Sequence, residues 1–77
     1  MDFAHVEAFV AVVESGGFTR AAAALHLSQP ALSRRIALLE HDVGQSLFER
    51  GRSGARLTDA GHALLPHAQA AIACVRD

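Results

Sequence analysis

The chain has 77 residues, enough for one domain and too few for two, since single cores sit in domains of about 50 to 200 residues. An ordinary multi-domain enzyme is therefore excluded. Seven arginines and no lysine stand against eight acidic residues, a formal net charge of -1, so no overall basic excess points to a polyanionic partner and partner choice must come from local charge. A hydrophobic content of 51%, with sixteen alanines, argues for a globular chain over a disordered one. Four Phe with no Trp or Tyr leave few large anchors. Such a core supplies about 3 to 5 kcal/mol alone, which leads us to expect help from a partner subunit.

Cys74 is the lone cysteine, which removes any intrachain disulfide and any multi-Cys zinc site. It stands clear of a helix N-terminus and of clustered cations, and it reads as a buried or seam cysteine, not a nucleophile. No apolar run approaches the about 18 residues of a membrane span, and Met1 to His5 lack the pattern of a signal peptide. A cytoplasmic location is expected. The final residues, Ala73 to Asp77, carry no stop signal after a helical pattern, which implies that the chain continues in a longer parent protein.

Phe3, Val6, Phe9, Val10 and Val13 recur at helical spacing, and Ser15-Gly16-Gly17 supplies a stop, so the first helix is expected over about 3 to 15. Thr19 is a candidate N-cap for a second helix of barely two turns, Arg20 to Leu25. After His26-Leu27, Ser28 can cap a third helix with Gln29 and Pro30 in its first turn, running to about Asp42 and ending near Gly44. Leu47 to Arg50 and Ala55 to Thr58 flank Gly51-Arg52-Ser53-Gly54 and read as a small hairpin. Thr58-Asp59 can start a last helix over 58 to 76, with the acid at the positive end of its dipole. Pro66 lies mid-helix, removes the bond to the carbonyl of His62 and is expected to kink it. The order of elements, with a very short turn between the second and third helices, is that of a mainly α winged helix-turn-helix: three helices, a small β-hairpin wing and a long C-terminal helix.

At about 100° per residue, Leu32, Ile36, Leu39 and Val43 fall on one face of the third helix, while Gln29, Pro30, Ser33, Arg34 and Ala37 fall about 120° away. Gln pairs with adenine, Arg with guanine, and Ser with base or phosphate, so Gln29, Ser33 and Arg34 suit a major groove. The Pro30 ring and Ala31 methyl can meet a thymine methyl. Taken alone, Ser28 to Arg35 also fits a capped, solvated helix start; its place directly after a two-turn helix favours the groove. Charge follows the same surface. Residues 1 to 19 hold Asp2, Glu7 and Glu14 and no base; residues 20 to 40 hold Arg20, Arg34 and Arg35 against Glu40; the hairpin tip adds Arg50, Arg52 and Arg56 without an acid. Arginine on such a tip suits the narrow, negative minor groove, although an ordinary solvated turn also exposes arginine.

The stretches Phe18-Thr19-Arg20-Ala21-Ala22, Leu27 to Arg34, Leu39-Glu40, Leu47-Phe48-Glu49-Arg50 and Leu57-Thr58-Asp59-Ala60-Gly61 resemble the N-terminal domain of LysR-type transcriptional regulators, in order and spacing over essentially the whole chain. The resemblance implies a winged helix-turn-helix over 1–58 and a linker helix for dimerisation over 59–77. It further implies that the helix over 28–42 enters the major groove and that the wing over 50–56 approaches the minor groove. Gln29, Pro30, Ser33 and Arg34 would then read bases, and Thr19, Arg35, Arg50 and Arg52 would hold phosphate or groove. Leu38 stands where the family often has a polar residue, and Gly51 to Ala55 is poorer in cations than many family wings.

Gly61, Leu64, Ala68, Ala71 and Val75 are spaced as a coiled-coil seam, with Leu65 and Ile72 a heptad apart beside them. The seam can pack on the first helix of the same chain, on a second copy, or partly on both. The resemblance favours an antiparallel homodimer presenting two recognition helices to a two-fold site, with Leu64, Leu65, Ala68, Ala71, Ile72 and Val75 at its interface. It also implies a separate effector-binding domain in the parent, through which a small molecule would act.

His62 and His67 are five apart, not the i, i+4 pair of a zinc helix, so no metal site is expected. No nucleophile triad, phosphate loop or paired carboxylate is present, and neither an enzyme nor a cofactor is expected. The sequence thus reads as a sequence-specific double-stranded DNA binder acting on promoter DNA as a homodimer. The alternative from another class is a winged-helix protein-protein interaction module.

Overall fold

The structure is a computed structural model describing residues 1–51 and 54–76, the side chains of residues 50, 51, 54 and 76 excepted. Helix α1 spans Phe3–Ser15, α2 Phe18–Ala24, α3 Gln29–Val43 and α4 Asp59–Arg76; strands β1, Phe48–Gly51, and β2, Gly54–Leu57, lie between α3 and α4. Asp2 caps α1, its carboxylate accepting from the Ala4 N–H at 2.9 Å. The helix stops at Gly16, whose φ of 86° lies in the left-handed region open to glycine at little cost.

Helix α2 begins earlier than its composition suggests. Gly17, not Thr19, is the N-cap, and its carbonyl accepts from the Ala21 N–H at 3.1 Å. Phe18 is drawn into the first turn because its ring meets Phe48 edge-on, with centroids 5.6 Å apart. The turn into α3 is tight. His26 N–H donates to the Ala23 carbonyl at 3.2 Å and Leu27 N–H to the Ala22 carbonyl at 2.8 Å. These are the two bonds of a Schellman motif, and they put His26 at φ 57°. Ser28 then caps α3, accepting from the Ala31 N–H at 3.2 Å, with Pro30 in the first turn and Gly44 ending the helix at φ 81°.

The core is assembled around α1, which packs against α2, α3 and α4. Val6, Ala8, Phe9, Val10 and Val12 of α1 are buried with Leu32, Ile36 and Leu39 of α3, Ala21 and Ala22 of α2, and Ala68 and Ile72 of α4. The alanines of α2 let it approach closely at little cost in side-chain entropy. The antiparallel hairpin pairs Phe48 with Leu57 and Glu49 with Arg56. Phe48 points inward and packs against Phe9 with the rings tilted by 52° and their centroids 5.4 Å apart, fixing the foot of the hairpin to the core. Phe48, not Leu47, opens the strand; Leu47 is fully buried ahead of it.

The loop joining α3 to β1 is held from both sides. Glu40 of α3 accepts from the Leu47 and Phe48 N–H groups at 2.7 and 3.3 Å. Thr58, the cap of α4, accepts from the Gly61 N–H at 3.1 Å and donates its hydroxyl to the Ser46 carbonyl at 2.6 Å. Its N–H donates to the Leu47 carbonyl at 3.0 Å. Helix α4 runs unbroken through Pro66, which is exposed.

Candidate functional site

The core face of α3 is fixed by Leu32, Ile36 and Leu39, all fully buried, which leaves the face about 120° away directed outward. Gln29, Pro30 and Arg34 are exposed there, and Ser33 is half-buried. Arg35 is half-buried toward the other flank, and Thr19 and Arg20 of α2 are exposed. The structure brings two of these together across the turn: Gln29 Nε2 donates to Thr19 Oγ1 at 2.9 Å. Sequence reasoning missed this contact, taking Thr19 for a cap. The signal was faint, since it required knowing that the Schellman turn folds residue 19 back over residue 29.

The result is a convex ridge of hydrogen-bonding and cationic groups about one helix diameter wide, with the Pro30 ring as its apolar element. At the far end of α3, Asp42 lies 4.0 Å from the Met1 ammonium, about 20 Å from Gln29 by helical rise. That end therefore carries an acid, while the first three turns carry Arg34 and Arg35. Leu38 is 38% exposed, an apolar spot beside the ridge.

In the hairpin, the backbone of Arg50 lies in β1, opposite Ala55. The Arg50 side chain and the whole of Arg52 lie outside the described residues, and Arg56 is exposed. An open hollow of about 540 Å³ at the foot of the hairpin is lined by Glu49, Arg56, Asp59 and His62 among others. Its charges are of both signs, so it adds no one-signed field to the cationic ridge. Among the described residues, no three His, Cys, Asp or Glu side chains are grouped to hold a metal.

On α4 the residues of the seam divide. Ala68 and Ile72 are 3% and 4% exposed and belong to the core of this chain. Leu64 and Leu65 are half-buried against it. Ala71 is exposed and Val75 is 65% exposed, so these two reach past the monomer core. Cys74 is also exposed, which rules out the buried alternative read from its surroundings in sequence: it falls on the outward side of the helix, with Ala63, Ala70 and Ala73.

A family model for bacterial regulatory helix-turn-helix proteins of the lysR family matches residues 3–62. The chain belongs to the LysR family. The LysR match takes in α1, α2, α3, the hairpin and the first turn of α4. An uncharacterized HTH-type transcriptional regulator from the ibpB-leuC intergenic region of Azotobacter vinelandii is 48% identical over 77 residues, which is 100% of this chain and 54% of that protein. The HTH-type transcriptional regulator TfdT of Cupriavidus pinatubonensis is 46% identical over 76 residues, 99% of this chain and 33% of that one. The chain thus spans between a third and about half of these LysR-type relatives. Among solved structures, a complex of the CbnR DNA-binding domain with DNA superposes with a TM-score of 0.90 at 41% identity, over 97% of this chain and 86% of that one. A complex of the BenM DNA-binding domain with the catB site 1 DNA gives 0.92 at 41% identity, over 99% and 85%. The relatives are transcriptional regulators, and the winged helix-turn-helix architecture is shared. No helix among the described residues is long and apolar enough to cross a membrane.

Proposed function

We propose that this chain is the sequence-specific DNA-binding domain of a bacterial LysR-type transcriptional regulator, acting in the cytoplasm as a homodimer. The observation that carries the reading is the outward ridge of α3, where Gln29, Pro30, Ser33 and Arg34 stand on the first turns of a helix whose other face is sealed in the core. Gln29, Ser33 and Arg34 supply donors and acceptors that distinguish base pairs in the major groove, the Pro30 ring suits a thymine methyl, and an α-helix fits that groove. Thr19 and Arg35 flank the ridge where phosphates would run, and in this reading Arg50 and Arg52, in the hairpin segment of the sequence, would approach the minor groove. The likeness to the DNA complexes of CbnR and BenM supports this docking.

Residues 1–58 form the reading head in this account, and 59–77 the linker helix. In this account dimerisation uses the accessible Ala71 and Val75, with the half-buried Leu64 and Leu65 beside them, while Ala68 and Ile72, first expected at the interface, serve the chain's own core. The parent protein adds an effector-binding domain through which a small molecule acts.

The test is a binding titration against a randomised duplex pool with selection, at two salt concentrations about fourfold apart. The expected result is a two-fold symmetric site with affinity falling steeply as salt rises, because phosphate contacts release counterions. Salt-dependent binding without an enriched site would remove sequence specificity from the reading. A folded, dimeric sample that binds no DNA at the lower salt would make the fold a protein-protein interaction module instead.

A further inference from the structure

We propose that Thr19 is a positioning residue, whose hydroxyl fixes the Gln29 carboxamide so that this position of the ridge selects adenine over guanine. The proposal rests on the major-groove reading of α3 given above.

A glutamine carboxamide offers one acceptor oxygen and two N–H donors, and its last torsion is broad, so an unrestrained Gln can turn either edge to a base. Gln29 is restrained: one of its Nε2 hydrogens goes to Thr19 Oγ1 at 2.9 Å. What remains facing outward is Oε1 as an acceptor beside a single N–H donor. Adenine presents the complement in the major groove, an N6 amino donor beside the N7 acceptor, whereas guanine presents two acceptors, N7 and O6. A free carboxamide can meet guanine by aiming both amino hydrogens at N7 and O6. With one hydrogen committed to Thr19, that arrangement is lost, and Oε1 is left against a base acceptor.

The direction of the Thr19–Gln29 bond follows from what lies beyond it. A hydroxyl donates one proton and accepts through its lone pairs. Thr19 is exposed at the rim of the ridge, where a phosphate oxygen is purely an acceptor. Donating its proton to the phosphate leaves Thr19 able only to accept from Gln29, so the amide nitrogen, not the oxygen, must face it. Phosphate, hydroxyl, amide and adenine then form one chain in which every donor meets an acceptor. The turn keeps the two ends in place: the Leu27 to Ala22 and His26 to Ala23 bonds close the α2–α3 joint within three residues. Both side chains are exposed, so their bond contributes little to folding, and Thr19 can be changed without unmaking the domain.

The experiment uses the 77-residue chain and the duplex enriched from the random pool. Gln29→Ala locates the base pair whose preference Gln29 carries. Dissociation constants are then measured at fixed salt on four duplexes differing only at that pair, for the wild type, Thr19→Ser, Thr19→Val, Gln29→Ala and the Thr19→Val/Gln29→Ala double variant. Thermal melts followed by circular dichroism check that each is folded. We expect the wild type to favour adenine over guanine by about tenfold or more. Thr19→Val should shrink that ratio to about threefold or less, with guanine gaining relative to adenine, while Thr19→Ser keeps it. The double variant should lose no more discrimination than Gln29→Ala alone, and 7-deazaadenine should weaken wild-type binding. The proposal is overturned if Thr19→Val lowers affinity equally for all four bases, which would make Thr19 a phosphate contact only. It is overturned too if the Gln29-dependent position prefers guanine in the wild type. A wild type with no Gln29-dependent base preference would instead sink the major-groove reading, and the proposal with it.

Discussion

His26 holds a φ of 57°, where a Cβ crowds the backbone. Histidine tolerates this better than most residues, and the two Schellman bonds of the turn keep it there. Relief of crowding by His26→Gly is opposed by the larger entropy of an unfolded glycine. We expect a net gain of about 0.5 kcal/mol, raising Tm by about 2 to 4 °C in a domain of this size. A thermal melt of the variant checks it, and a lower Tm would mean that the His26 side chain makes a stabilising contact that outweighs the strain. On the ridge, Arg34→Ala is expected to cost about 1 to 3 kcal/mol of binding and to relax preference at one base position. Arg52→Ala should weaken binding to all sequences alike, and comparing the two variants on matched and scrambled duplexes separates the roles. At this scale the sequence was informative where one residue type suits one position, with Ser28 as cap, Gly44 as stop and Leu32, Ile36 and Leu39 as core. It was silent on His26, because the left-handed residue of a turn is sought as glycine, and on the Thr19–Gln29 bond, which joins residues ten apart.

Among the elements, the approach of α4 to the loop before β1 is the tightest. A Cβ on Gly61 would run into the Leu47 carbonyl oxygen and meet Leu57 Cδ2 at 2.7 Å. Because backbone is the obstacle, Gly61→Ala must push α4 away from the loop, and a loss of about 1 to 3 kcal/mol is expected in a denaturant titration. Glu40→Ala leaves the Leu47 and Phe48 N–H groups without their acceptor in a half-buried site and should cost about as much. The spans of α1, α3 and the hairpin were legible to within one residue, since helical spacing and Gly, Ser and Pro punctuation agree there. The start of α2 was not. Phe18 enters that helix because of Phe48, a partner thirty residues away, and no local propensity carries such information.

For the molecule as a whole, the α4 seam divides into residues of the chain's own core and residues open to the proposed second copy. Ile72→Ala removes a buried side chain and is expected to cost about 2 to 5 kcal/mol of stability. Ala71→Glu places a charge on the accessible side, and should lower the dimer fraction in sedimentation while leaving the helical melt of the monomer little changed. Equal effects of the two on stability would mean that dimer and monomer cores are one. The heptad spacing could not make this distinction, because a residue facing α1 and a residue facing a second copy obey the same period.

Thr58 is the single residue between the end of β2 and the start of α4, and its N–H and hydroxyl are both bonded back to the segment before β1. The joint has no slack. A displacement of the start of α4 would have to move the base of the hairpin with it and, through Leu47 and Glu40, would bear on the end of α3. Thr58 is thus the point at which α4, the hairpin and, through Leu47 and Glu40, the end of α3 are tied together.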